Sequence, residues 1–191
     1  MFLSNSEGLE HTPFRLNCSG ARTPSKLNAL INFMSKIVFL GLLLLGVSSY
    51  AQEAEIIKFD KLRSRLEEKG EKVQVINFWA TWCAPCVKEL PLFEALTAKN
   101  DPTVKVTLIS LDFADELKKV NSFISRRKIR SEVWLLDEID YNSWIDSVEE
   151  SWGGAIPATL FINQKTGQRK FVERELKDGE LEEVIASLTN Q

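Results

Sequence analysis

Val73-Gln74-Val75-Ile76-Asn77-Phe78-Trp79-Ala80-Thr81-Trp82-Cys83-Ala84-Pro85-Cys86 is a β-branched and aromatic run that ends in two thiols three positions apart. The run to Trp79 predicts a buried strand. From Cys83 to about Lys99, apolar residues at Val87, Leu90, Phe93 and Leu96 mark one face of a helix. The strand therefore hands the chain to a helix start, where both sulfurs lie on one face within reach of each other. Thiols so placed can exchange two electrons as a dithiol/disulfide pair. The N–H groups and dipole of the helix start favour a thiolate at Cys83, the expected nucleophile. Cys86, a turn further in, is expected to be more buried and to resolve a mixed disulfide. Pro85 fixes the backbone at the helix start and withholds one N–H from the thiolate. Pro91, inside the helix, predicts a kink.

Composition narrows the alternatives. The chain has 191 residues, 44% hydrophobic and 27% charged, with a net charge of -3. That suits one globular domain plus an extension. No basic patch points to nucleic acid, and Arg126-Arg127-Lys128 is short enough to be a solvated helix end. The third cysteine, Cys18, lies far upstream, so there is no framework of structural disulfides. C-x-x-C is also half of many zinc sites, and a structural zinc needs four ligands. Residues 52–191 contain neither a third Cys nor any His. Ligand supply thus favours redox chemistry over metal, and no cofactor is implied.

Upstream, Met34-Ser35-Lys36 precedes the apolar run Ile37 to Val47 and then Ser48-Ser49-Tyr50-Ala51. A positive residue, eleven apolar positions and a small-x-small end describe a secretory signal over 34–51, cut before Gln52. The run is shorter than the roughly 20 residues of a membrane span. Residues 1–33 are polar and patternless. They are expected to be an upstream extension from a misplaced start, the alternative being a disordered tail before an anchor. The functional domain is then 52–191, in the periplasm or another extracytoplasmic space.

Within that domain, 58–69 reads as an amphipathic helix on Phe59, Leu62 and Leu66. Strands are expected at 104–111, 133–136 and 158–162, the last joined by a turn to 168–172 in a hairpin. Helical patterns cover 114–127, more loosely 141–152, and finally 181–188. This order gives a mixed α/β layer fold with early parallel crossovers and a late hairpin. Pro157, directly before a strand and after Gly153-Gly154, is a candidate cis-proline, although trans is the commoner state of such a bond. Trp79, Trp134, Trp144 and Trp152 are expected to pack rather than to bind.

Asn77-Phe78-Trp79-Ala80-Thr81-Trp82-Cys83-Ala84-Pro85-Cys86-Val87-Lys88-Glu89-Leu90-Pro91, with Ile156-Pro157-Ala158-Thr159, resembles the thioredoxin superfamily, and within it the TlpA/ResA-like secreted thiol–disulfide oxidoreductases. The resemblance spans most of 55–190. It implies a three-layer fold, a central mixed sheet flanked by helices, with a helix–strand insertion at about 114–136. It implies Cys83 as attacking and Cys86 as resolving thiol, and Pro157 as a cis-proline against the disulfide. The Ile156 backbone would pair with the substrate chain, and Trp82 would flank the docking surface. Glu89 matches an acidic residue that this branch carries near its dithiol. A partly buried carboxylate there has a raised pKa and can move protons to or from Cys86. Without the resemblance Glu89 reads as a solvated helix residue. Asn77 stands where thioredoxin has a buried Asp, and Asn cannot titrate.

The resemblance further implies protein thiol or disulfide substrates, a membrane donor of electrons and a monomer. The Ala84-Pro85 dipeptide resembles reducing members more than oxidising ones. Apocytochrome c is the family's best-known substrate class, but no residue selects it. A rival expectation is a non-enzymatic binding module of the cell envelope with a structural Cys83–Cys86 disulfide. A copper-handling relative is disfavoured by the absence of His from 52–191, and a peroxidase by the C-x-x-C spacing.

Overall fold

A computed structural model of the chain describes residue 31, residues 33–36 and residues 52–190. The chain divides into two units at Ser49/Tyr50. In the first, residues 31 and 33–36 are helical. The rest of the expected extension and signal, 1–33 and 34–51, lies outside the described residues. No helix among the described residues is long and apolar enough to cross a membrane.

The second unit is built on strand β2, Val73–Trp79, buried at every position. A strand apolar on both faces belongs in the middle of a sheet covered on both sides. β2 pairs in parallel with β3, Val104–Ser110, and antiparallel with β5, Ala158–Asn163. β4, Glu132–Leu136, extends the parallel side, and β6, Arg169–Val172, closes the hairpin with β5. Outside β4 lies β1, Glu55–Ile57, in parallel register from Glu55 opposite Trp134. The order is β1-β4-β3-β2-β5-β6. β1 was not expected from sequence. It has three residues, only Ile57 is buried, and no alternation can be read from so short a run.

Crossovers fix which helix covers which face. Helix α1, Phe59–Glu67, links β1 to β2 and packs Phe59, Leu62 and Leu66 on one face. Helices α2, Ala84–Ala98, and α3, Leu117–Arg127, follow β2 and β3 and lie on the other. α5, Glu180–Thr189, joins them through Leu181 and Leu188. The expected loose helix at 141–152 is a 3-10 turn, Tyr141–Ser143, followed by the single turn α4, Ile145–Val148. Trp144, beside it, is nevertheless fully buried, with Trp152 and Phe78 around it. The architecture is the expected three layers, with α3 and β4 filling the expected insertion. Trp79, Trp134, Trp144 and Trp152 are all buried.

Local signals account for the helix ends. α2 starts at its N-cap Cys83, with Pro85 at the second helical position, where no N–H is needed. It continues unbroken through Pro91, whose nitrogen has no hydrogen to give Val87. α3 ends with Lys128 in the left-handed conformation, φ 56°, while Ile129 N–H donates to Ile124 O. That is a Schellman stop without glycine.

Candidate active site at the carboxyl edge of the sheet

β2, β3 and β4 run parallel, so their carboxyl ends share one edge, the usual place for a site in an α/β sheet. The chain leaves β2 there through Ala80-Thr81-Trp82 and enters α2 at Cys83. Cys83 and Cys86 are joined in a disulfide, with Cα atoms 5.3 Å apart. Cys83 is 6% exposed and Cys86 fully buried, so an attacking group meets Cys83 first. The Cys86 N–H donates to Cys83 Sγ at 3.3 Å. The same N–H stabilises a thiolate when the disulfide is open.

Two loops position this turn. Asp112, just past β3 and buried, accepts from Thr81 N–H at 2.8 Å, Thr81 Oγ1 at 2.5 Å and Ser110 Oγ at 2.8 Å. On the other side the Ile156–Pro157 peptide is cis, and Ile156 O lies 3.8 Å from Cys83 Sγ. The ladder to β2 begins at Ala158, so Ile156 is outside it. The loop before it is gripped by Glu173, which accepts from the N–H groups of Gly153 and Ala155 at 3.2 and 3.0 Å. Trp152 Nε1 donates to Ala155 O at 2.9 Å. Gly154 has φ +84°, where a side chain would be strained. Trp82, beside Cys83, is 61% exposed.

Behind the disulfide, Glu89 lies one turn along α2 from Cys86 and is 1% exposed. Its carboxylate accepts from Leu176 N–H at 2.7 Å and Asn77 Nδ2 at 2.8 Å. Asn77 Nδ2 also reaches Thr159 Oγ1 at 3.0 Å. Burial pushes the Glu89 pKa from 4.5 up to about 7, against those two hydrogen bonds, and the Glu175 carboxylate adds to the rise. A carboxyl balanced near neutrality can both accept and return a proton. Asn77 Oδ1 is buried without a partner. The side chain at the position of thioredoxin's Asp thus acts here as a donor to Glu89.

All six sequence-derived candidates, Trp82, Cys83, Cys86, Glu89, Ile156 and Pro157, belong to this one edge or the layer directly behind it. Asp112, Glu173 and the Leu176 amide were not foreseen. Each is a polar group in a loop, and each reaches a partner 18 to 87 residues away, Asp112 in addition to its bond from the nearby Ser110. No local pattern announces such contacts.

Residues 47–167 match the model of the AhpC/TSA family. The chain belongs to that family. Among curated relatives, it is 30% identical over 123 residues to the thiol-disulfide oxidoreductase ResA of Oceanobacillus iheyensis, covering 64% of this chain and 52% of that one. It is 28% identical over 102 residues to the sporulation thiol-disulfide oxidoreductase A of Bacillus subtilis, covering 52% and 58%. The chain therefore spans little more than half the length of these two relatives. A thioredoxin-related protein from Neisseria meningitidis serogroup B shares the fold, with TM-score 0.57 and 22% identity over 66% of this chain and 91% of that one. The thioredoxin-like resemblance drawn from residues 77–91 and 156–159 thus extends to fold and family.

Proposed function

We propose that this AhpC/TSA-family chain is an extracytoplasmic thiol–disulfide oxidoreductase that reduces disulfides in proteins. The observation that carries the proposal is the Cys83–Cys86 disulfide at a helix start, with the Ile156 carbonyl against its outer sulfur and Glu89 buried behind its inner one. In the reduced enzyme the Cys83 thiolate attacks one sulfur of a substrate disulfide. A Cys83–substrate disulfide forms, the substrate S–S bond breaks, and the first substrate sulfur leaves as a thiolate that takes a proton from water. Glu89 takes the Cys86 proton. The Cys86 thiolate attacks Cys83 Sγ, closing the Cys83–Cys86 bond and releasing the second substrate sulfur. Two electrons have passed from enzyme to substrate. Ile156 pairs with the substrate backbone, Pro157 packs against the disulfide, and Trp82 flanks the contact.

The oxidised enzyme needs two electrons before another cycle. A membrane donor fits a protein exported by the 34–51 signal, and the Ala84-Pro85 dipeptide supports the reducing direction. Cytochrome c maturation is the setting that the family resemblance brings.

Insulin reduction with each cysteine variant tests the proposal. Cys83→Ser abolishes turnover, and Cys86→Ser accumulates mixed disulfides through Cys83. Full activity in Cys83→Ser overturns it. So does a reduction potential well below about -300 mV, which marks an inert structural bond and favours the non-enzymatic binding module.

A further inference from the structure

Among residues 52–190, the large apolar side chains left exposed are Ile56, Trp82, Phe113, Ile139 and Tyr141. All but Ile56 lie in the segments that follow β2, β3 and β4, at the edge that carries the disulfide. Exposed apolar groups collected in one place mark an interaction surface, whereas scattered ones do not. Here three of them, Phe113, Ile139 and Tyr141, border a cleft of about 340 Å³ between the segments after β3 and β4. Leu111 and Leu136 lie at its base, and Phe113, Ile139 and Tyr141 stand around it.

The charged residues that line this cleft, Asp112, Asp115, Asp137 and Glu138, are acidic, with Lys58 and Lys119 as the cations near them. Asp112 is committed to Thr81 and Ser110, with Lys119 3.9 Å away, and Asp137 pairs with Lys58 at 2.9 Å. Glu138 accepts from the Phe59 N–H through one oxygen. Asp115 is exposed. Asp115 and Glu138 therefore leave the cleft acidic.

The cleft adjoins the active-site turn through Asp112, whose buried carboxylate binds Thr81, two residues before Cys83. β4 stands two strands from β2, which is about 10 Å, or about three residues of an extended chain. A substrate held at Cys83 thus brings a neighbouring part of its own chain to the cleft.

We propose that this cleft binds a cationic, apolar segment of the protein substrate. A lysine or arginine lies beside a bulky apolar residue, about three residues from the reacting cysteine. The apolar side chain enters between Phe113, Ile139 and Tyr141, and the cation meets Asp115 and Glu138. The proposal rests on the oxidoreductase reading and names the sequence chemistry that its substrates share.

The test uses glutathione mixed disulfides of three peptides that differ only after the cysteine: Cys-Gly-Ser-Leu-Lys, Cys-Gly-Ser-Leu-Gln and Cys-Gly-Ser-Leu-Glu. Peptide thiol release by the reduced protein is followed by acid quench and chromatography, with 2-hydroxyethyl disulfide as a small reference. At low salt the Lys peptide reacts about tenfold faster than the Glu peptide, and added salt narrows the gap. Asp115→Asn with Glu138→Gln reduces the gap to about twofold or less, while Glu67→Gln, at the opposite edge of the sheet, preserves it. Ile139→Ser slows all three peptides relative to the small disulfide. Equal rates for the three peptides in the wild type, or a gap that survives the double substitution, overturn this proposal alone. A protein that reduces neither the peptides nor the small disulfide overturns the oxidoreductase reading, and this proposal with it.

Discussion

Glu89→Gln isolates the buried carboxyl behind the disulfide. Below pH 4.5 Glu89 is protonated in both folded and unfolded chains, so its ionisation does not affect stability. Between 4.5 and about 7 the unfolded chain loses that proton while the folded chain keeps it. Unfolding then releases a proton, and the wild type loses stability as pH rises. Above about 7 the loss is complete. At about 1.36 kcal/mol per tenfold change, a rise from 4.5 to about 7 corresponds to about 3 kcal/mol. The residue is buried, so solvent screening removes little of this. Gln cannot ionise, but its amide sets an N–H against either the Leu176 or the Asn77 donor, at a cost of about 1–3 kcal/mol. The variant is therefore the less stable protein in acid and draws level with or passes the wild type in mild alkali. Urea unfolding of both oxidised proteins across this range measures the effect. Wild-type minus variant stability should fall by about 3 kcal/mol, with its midpoint between the two pKa values. A difference that stays constant with pH refutes the assignment of a neutral, buried Glu89.

Other substitutions test the supports of the site and its separation from the rest of the core. Asp112→Ala leaves the Thr81 and Ser110 donors unpaired and should cost about 1–3 kcal/mol for each buried one; thermal unfolding measures the loss. Glu173→Ala frees only the exposed Gly153 and Ala155 amides, so stability should change by less than about 1 kcal/mol. Insulin reduction by that variant should nevertheless slow more than reduction of 2-hydroxyethyl disulfide, because the loop presenting Ile156 is released. Leu62→Ala empties a fully buried position beneath α1 and should cost about 2–5 kcal/mol in urea. The folded fraction of that variant should exchange thiols at the wild-type rate.

The strand Val73–Trp79, the helix start at Cys83 and the β5–β6 hairpin were legible because each rests on local pattern: a continuous apolar run, a 3.6-residue period, a turn between two short runs. The family resemblance brought Glu89 and Ile156-Pro157 to the same site, although 67 residues separate Glu89 from Ile156 in the sequence. Periodicity alone reads Glu89 as solvated. Its burial is imposed by the Leu176 segment, which arrives from the far end of the chain to cover it. β1 was hidden for a different reason: its hydrogen bonds go to β4, and its own residues are mostly exposed. Tertiary pairing creates that strand. The helix expected at 141–152 stops at Val148, where Glu149 takes an extended conformation, and Trp152 reaches the core from the loop beyond it rather than from a helix face.

The sheet also divides the five tryptophans. Trp82 adjoins the disulfide, and Trp79 sits in the same layer, against Phe123. Trp134, Trp144 and Trp152 lie in the opposite layer, where no sulfur or ionisable site residue intrudes. One chain therefore carries Trp82 next to the bond that opens and closes, Trp152 tied to the loop that presents Ile156, and Trp134 and Trp144 in a layer whose packing reports whether the protein is folded. Trp→Phe replacement group by group gives each signal its own spectrum, so electron transfer and unfolding can be followed separately in the same molecule without an added label.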